Sequence, residues 1–200
     1  MIDALHASGI DTPFQIVTWG APPALFFLNF QTRSIHAQAE RQLRDRILAW
    51  RSEHPRGRVD LIGHSAGCGV ILGALSGAPA EAQVKTVILL APSVSPSYDL
   101  APALARVSGT ICVFHSDSDW LHLAWRTSTF GTYDNVKTRA AGNVAFDLSQ
   151  LPVSQSTRVV QLQHDAGHFG CVTDRNVTFE VASVLTLDER SGLSIEANRK

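Results

Sequence analysis

A strand that runs without a linker into a glycine-flanked serine restricts this chain more than any other feature. Residues 59–75 read VDLIGHSAGCGVILGAL. The run RVDLI (58–62) has the character of a buried strand, and the small, apolar segment Ala66 to Leu75 reads as a helix packed under a sheet. Between them, Gly63-His64-Ser65-Ala66-Gly67 predicts a sharp strand-to-helix turn. Strand and helix backbones approach closely at such a turn, so its neighbours must be small, and Gly63, Ala66, Gly67 and Gly69 meet that demand. The serine is then held in a strained conformation with its hydroxyl clear of the sheet. It also stands at a helix N-terminus, where unpaired N–H groups favour developing negative charge.

The rest of the chain repeats the strand-then-helix theme. Strand candidates are FQIVTW (14–19), RVDLI (58–62), VKTVILLA (84–91), GTICVFH (109–115) and RVVQLQ (158–163). Ile35, Ala39, Leu43, Ile47 and Trp50 share one helical stripe, and Arg41, Arg44, Asp45 and Arg51 lie off it as a solvated face. A short helix is expected over Ala101 to Val107. A last helix runs through Phe179, Val181 and Leu185, capped by Thr173 or Asp174. This alternation predicts an α/β fold, a mostly parallel sheet with helices on both faces. With 44% hydrophobic residues in 200, one core is expected over residues 1–190, followed by a fraying polar tail from Ser191 to Lys200.

Charge narrows the partners. Seventeen Lys and Arg against 18 Asp and Glu give no basic field for nucleic acid or a membrane surface. No apolar run reaches the roughly 20 residues of a membrane span, and MIDALHASGIDTP lacks the regions of a signal peptide. Cys68, Cys112 and Cys171 have no paired spacing and read as reduced packing residues of a cytoplasmic protein. Gly67, Gly69 and Gly73 are closely spaced but fit the dinucleotide fingerprint poorly, and the strand ending LLAPS offers no carboxylate for a ribose. No cofactor is expected.

A nucleophilic serine needs a base, and the base needs a carboxylate to orient it. In a parallel sheet these belong on loops at the carboxyl ends of strands. GTICVFH ends in Ser116-Asp117-Ser118-Asp119-Trp120, and RVVQLQ ends in His164-Asp165-Ala166-Gly167-His168-Phe169-Gly170. Asp117 or Asp119 is therefore the candidate acid, the other being a turn or capping residue. His164 or His168 is the candidate base. Their i, i+4 spacing is that of a metal pair, but Gly167 argues against the helix needed to align them, and no metal is expected. His64 reads as a spacer whose ring lies beside the turn, and His6, His36, His54 and His122 as surface residues.

With the elbow followed by acid and then base, the chain resembles the α/β-hydrolase fold superfamily from residue 1 to about 187. The resemblance implies Ser65 as nucleophile and the Ala66 N–H as one oxyanion donor. It also implies Asp119 as the better match to the acid, after His115-Ser116, with Asp117 the alternative. Gly167-His168-Phe169 matches the family's base, with His164 the alternative. The second oxyanion donor in the family comes from a loop after an earlier strand. Residues IDALHASGI look like the helix after that strand, so the strand is expected upstream of Met1. The competing expectations are a donor from another loop, such as Thr18-Trp19-Gly20, or loss of the strand in a binding or scaffold protein. Absence of the strand would leave a sheet edge open to self-association.

The expected activity is hydrolysis of a small-molecule carboxylic ester by a Ser-His-Asp triad. The alternatives are a non-catalytic member binding a small ligand or protein partner, and an acyl transferase. Ala21 to Leu28 is greasy enough either to line an acyl pocket or to pack on the sheet. Trp120 to Thr157 is a long excursion that starts as a helix at Leu121, Leu123, Ala124 and Trp125.

Overall fold

The computed structural model describes residues 1–20, 32–117 and 132–190. Asp119, His122, the stretch Ala21 to Leu28, the helix start at Leu121 to Trp125 and the tail from Ser191 lie outside the described residues.

Four strands form one sheet in the order β1-β2-β3-β4, with every neighbouring pair parallel: β1 Asp60–His64, β2 Thr86–Leu90, β3 Ile111–His115 and β4 Val159–Gln163. The α/β class is as expected. TVILL of β2 is buried at every position because both faces of a central strand are covered. Val87 and Leu89 of β2, with Ile111 and Val113 of β3, enter one apolar cluster; Ile88, Leu90, Cys112 and Phe114 enter the other. That period-2 division places core on both sides of the sheet.

The first face carries α2 (Arg33–Glu53), α3 (Ala66–Ser76) and α4 (Ala101–Leu104). Ala39, Leu43 and Ile47 bury the predicted stripe of α2, while Trp50 stays 39% exposed and stacks on His54 at 3.9 Å. The second face carries α1 (Ile2–Ala7) through Leu5, and Val181 and Leu185 of the last helix. Three short helices, α5 (Ala141–Val144), α6 (Val153–Ser156) and α7 (Gly167–Thr173), precede that last helix, α8 (Arg175–Arg190). Asp174 caps α8, its Oδ1 accepting from the N–H groups of Asn176 at 2.7 Å and Val177 at 3.3 Å. Arg58 ties the start of β1 to α8, bonding both Asp60 (2.7 Å) and the Leu185 carbonyl (2.8 Å).

Two sequence expectations need correcting. FQIVTW (14–19) forms no strand. Its side chains still divide between the two clusters, Phe14 to one and Val17 and Trp19 to the other, but Ile16 is 71% exposed and no ladder engages the backbone. Alternating apolar residues favour an extended chain; only a paired neighbour makes it a strand. His36, expected at the surface, is buried and stacks on Tyr133 at 3.9 Å.

The stack explains the glycines of α3. A Cβ at Gly69 would fall 2.2 Å from the Tyr133 ring, and one at Gly73 2.3 Å from the Glu40 carboxylate that accepts the Tyr133 hydroxyl's 2.7 Å bond. These glycines make room for a loop and for α2. All three cysteines are buried, and burial pushes the Cys112 thiol up to about 12. Among the described residues no helix is long and apolar enough to cross a membrane.

Candidate functional site

Because all four strands run the same way, the residues that follow them gather on one edge of the sheet. Ser65 sits between β1 and α3 with φ 55° and ψ −125°. A residue bearing a Cβ in left-handed φ costs roughly 1–3 kcal/mol, so neighbours must hold it there. They do so through three backbone bonds. The Ser65 N–H donates to the Leu90 carbonyl (2.9 Å), and the Ser65 carbonyl accepts from Cys68 (3.1 Å) and Ser93 (3.2 Å). As the first residue of α3, Ala66 presents an N–H that has no intrahelical acceptor.

The four small residues of the elbow are small for different reasons. A Cβ on Gly63 would lie 2.8 Å from Ile71 Cδ1 and 3.1 Å from the Cys68 backbone, so strand and helix do approach closely there. Gly67 is different: its nearest neighbour would be Trp19 Nε1 at 3.8 Å, an ordinary contact. Gly63→Ala is therefore expected to destabilise the fold by about 1–3 kcal/mol. Gly67→Ala is expected to be neutral or stabilising by up to about 1 kcal/mol, since alanine is the better helix former. Urea unfolding of the two variants side by side checks this; equal midpoints would refute the assignment of crowding to Gly63.

β4 is three places from β1, roughly 14 Å at the usual strand spacing. Its following loop nevertheless returns to the elbow. Gly167, at φ 67°, turns the chain into α7, and the His168 ring lies 4.8 Å from the ring of His64. His64 Nε2 is 2.9 Å from the His168 carbonyl; a carbonyl only accepts, so the nitrogen donates. The Cys171 thiol donates to the same oxygen at 2.8 Å. Phe169, 62% exposed, meets His168 edge-on at 5.2 Å.

The alternative base is placed otherwise. His164 continues the β4 ladder, its N–H donating to the His115 carbonyl (2.9 Å), and its Nδ1 accepts the Ala166 N–H (3.1 Å). α7 begins only at Gly167, so His164 and His168 do not share a helix turn. Among the described residues no group of three or more His, Cys, Asp or Glu is arranged to hold a metal ion. Asp117 is exposed and its Oδ2 accepts from Gln163 Nε2 at 2.9 Å across the ends of β3 and β4.

Burial lowers the His115 imidazole below its ordinary 6.5, with the nearby Asp117 charge partly opposing. The folded form thus takes up a proton at lower pH than the unfolded chain. Above 6.5 both are neutral and His115 contributes nothing; below it the unfolded chain protonates first and stability is lost. The thermal midpoint is expected to fall on acidification from pH about 7.5 to 5.5, less steeply in His115→Gln. Parallel slopes would exclude His115 as the cause.

Sequence reasoning singled out Ser65, His164, His168 and Asp117 and passed over three residues that the fold brings to the same edge of the sheet. These are His64 and Cys171, both donors to the His168 carbonyl, and Gly142. The Gly142 N–H donates to Pro92 (2.9 Å) and its carbonyl accepts from Ser116 (2.8 Å), joining the exits of β2 and β3. The buried hydroxyls of Ser93 and Ser116 and the Asn143 amide flank those bonds. His64 carried no sequence signal because it acts on a backbone oxygen 104 positions away, and Cys171 because it acts on a backbone oxygen and not on a side chain. The chain matches neither a protein-family model nor a curated protein.

Proposed function

We propose that this chain is a serine hydrolase of carboxylic esters, built in the manner of the α/β-hydrolase fold. The observation that carries the reading is the return of the β4 loop across the sheet, which sets the His168 ring 4.8 Å from that of His64, the residue before a serine held at positive φ. In this reading Ser65 Oγ attacks the ester carbonyl as the His168 imidazole takes its proton. The Ala66 N–H, at the positive end of α3, holds the oxyanion. His168 returns the proton to the departing alkoxide as the C–O bond breaks. Water, deprotonated by His168 in turn, then releases the acid and frees Ser65.

Asp119 is the acid that orients His168. Support comes from the engagement of Asp117, whose carboxylate is bonded to Gln163. The Trp19 indole N–H, which borders Gly67 beside the oxyanion amide, supplies the second donor.

A fluorophosphonate probe tests the proposal. One equivalent of label is expected, mapped by peptide mass spectrometry to Ser65. Asp119→Asn is expected to slow labelling far more than Asp117→Asn, and Trp19→Phe by about 10²-fold, the usual effect of one lost oxyanion donor. Folded protein that takes no label at Ser65 would favour a binding protein on the same scaffold. An effect confined to Asp117→Asn would reassign the acid.

A further inference from the structure

The base reaches the elbow on a short and poorly self-supporting element. α7 has seven residues, entered through a glycine at φ 67°, and a helix of that length does not hold itself in place. Buried Cys171 packs α7 into the core, and two donors converge on the His168 carbonyl. Cys171 Sγ at 2.8 Å belongs to α7 itself and moves with it. His64 Nε2 at 2.9 Å comes from β1, separated by 104 positions in the chain. His64 is also the residue immediately before Ser65. A rigid side chain on the nucleophile's own turn therefore grips the base's own peptide.

We infer that His64 is a positioning residue, which sets the separation of nucleophile and base through its Nε2–H bond to the His168 carbonyl. The inference rests on the reading of Ser65 and His168 as a catalytic pair. A single neutral hydrogen bond contributes little to global stability, so the fold tolerates its loss. Catalysis is far more sensitive, because a misplacement of about 1 Å in a reacting pair is enough for a 10²-fold loss. The ring also sits 4.8 Å from His168 and 6.3 Å from Phe169, so a replacement must keep its volume for the bond alone to be tested.

His64→Phe keeps the ring and removes the donor; His64→Gln puts an amide N–H close to the position of Nε2. The expected result is a 10- to 10²-fold slower fluorophosphonate reaction and lower kcat in His64→Phe, with KM and the thermal midpoint little changed. Most of the rate is expected back in His64→Gln. Imidazole 15N NMR of the wild-type protein reads the contact without any turnover, and His64 is expected as the Nε2–H tautomer. Wild-type labelling rates in His64→Phe, failure of His64→Gln to restore a lost rate, or an Nδ1–H tautomer would each overturn the role while leaving the hydrolase reading intact. Wild-type protein that shows the Nε2–H tautomer but takes no label at Ser65 would overturn the catalytic reading, and the role with it.

Discussion

Ser65→Ala is expected to take no fluorophosphonate label and to lose about 10⁶-fold in kcat for ester cleavage, and His168→Ala to lose about 10⁴- to 10⁶-fold. In the proposed mechanism the two act as one unit, because without the base the hydroxyl is a poor nucleophile and without the hydroxyl the base has no proton to take. The double variant is therefore expected to be no worse than Ser65→Ala alone. His164→Ala separates the candidates. It removes the acceptor for the Ala166 N–H, a loss of about 1 kcal/mol in stability, and leaves cleavage within about tenfold. Turnover of a short-chain aryl ester, followed with unfolding of each variant, gives both quantities. If His164→Ala loses the activity and His168→Ala keeps it, the base has been assigned to the wrong side of the loop.

Gly142→Ala is expected to destabilise the protein by about 3 kcal/mol or more, lowering the thermal midpoint by roughly 6–12 °C. A Cβ there would stand 2.6 Å from the Ala91 carbonyl carbon, 2.9 Å from Pro92 N and 3.0 Å from Ala91 Cα. All three are backbone atoms, so no side chain can rotate away to make room. Ala91 is itself at φ 44°, and α5 is pinned by the bonds from Ala141 to Val94 (2.7 Å), Gly142 to Pro92 and Ser116 to Gly142. Relief by backbone movement would disturb the exits of β2 and β3 together. Activity is expected to fall with stability, since Ser93, one residue beyond Pro92, donates to the Ser65 carbonyl. A midpoint within about 2 °C of wild type would mean that the exits adjust independently.

The parallel sheet was legible because each of its strands writes a local pattern. TVILL is apolar throughout as a twice-covered strand must be, and GHSAG names a turn by its own steric demand. Position 14–19 carries the same apolar bias and forms no strand, since pairing is a property of the neighbour and not of the segment. The same division runs through the site. Ser65 could be placed from five consecutive residues. The different surroundings of His164 and His168 needed the path of a loop across three strands, and the burial of His36 needed Tyr133, almost a hundred positions away. Gly69 and Gly73 were visible as glycines, but a ring and a carboxylate from distant segments gave their reasons.

The bridge between His64 and His168 also carries a consequence in time. On the ribosome the elbow emerges first, and 104 further residues separate it from the histidine that its ring will grip. At about 5–20 residues per second, Ser65 exists for roughly 5–20 s before His168 has been synthesised. During that interval Cys68, Leu90 and Ser93 are available to hold Ser65 in its strained backbone. Under the proposed function, a nascent chain stalled ahead of Gly167 would carry a formed elbow and no reactivity. The bond between the two histidines forms only once the loop after β4 has crossed the sheet.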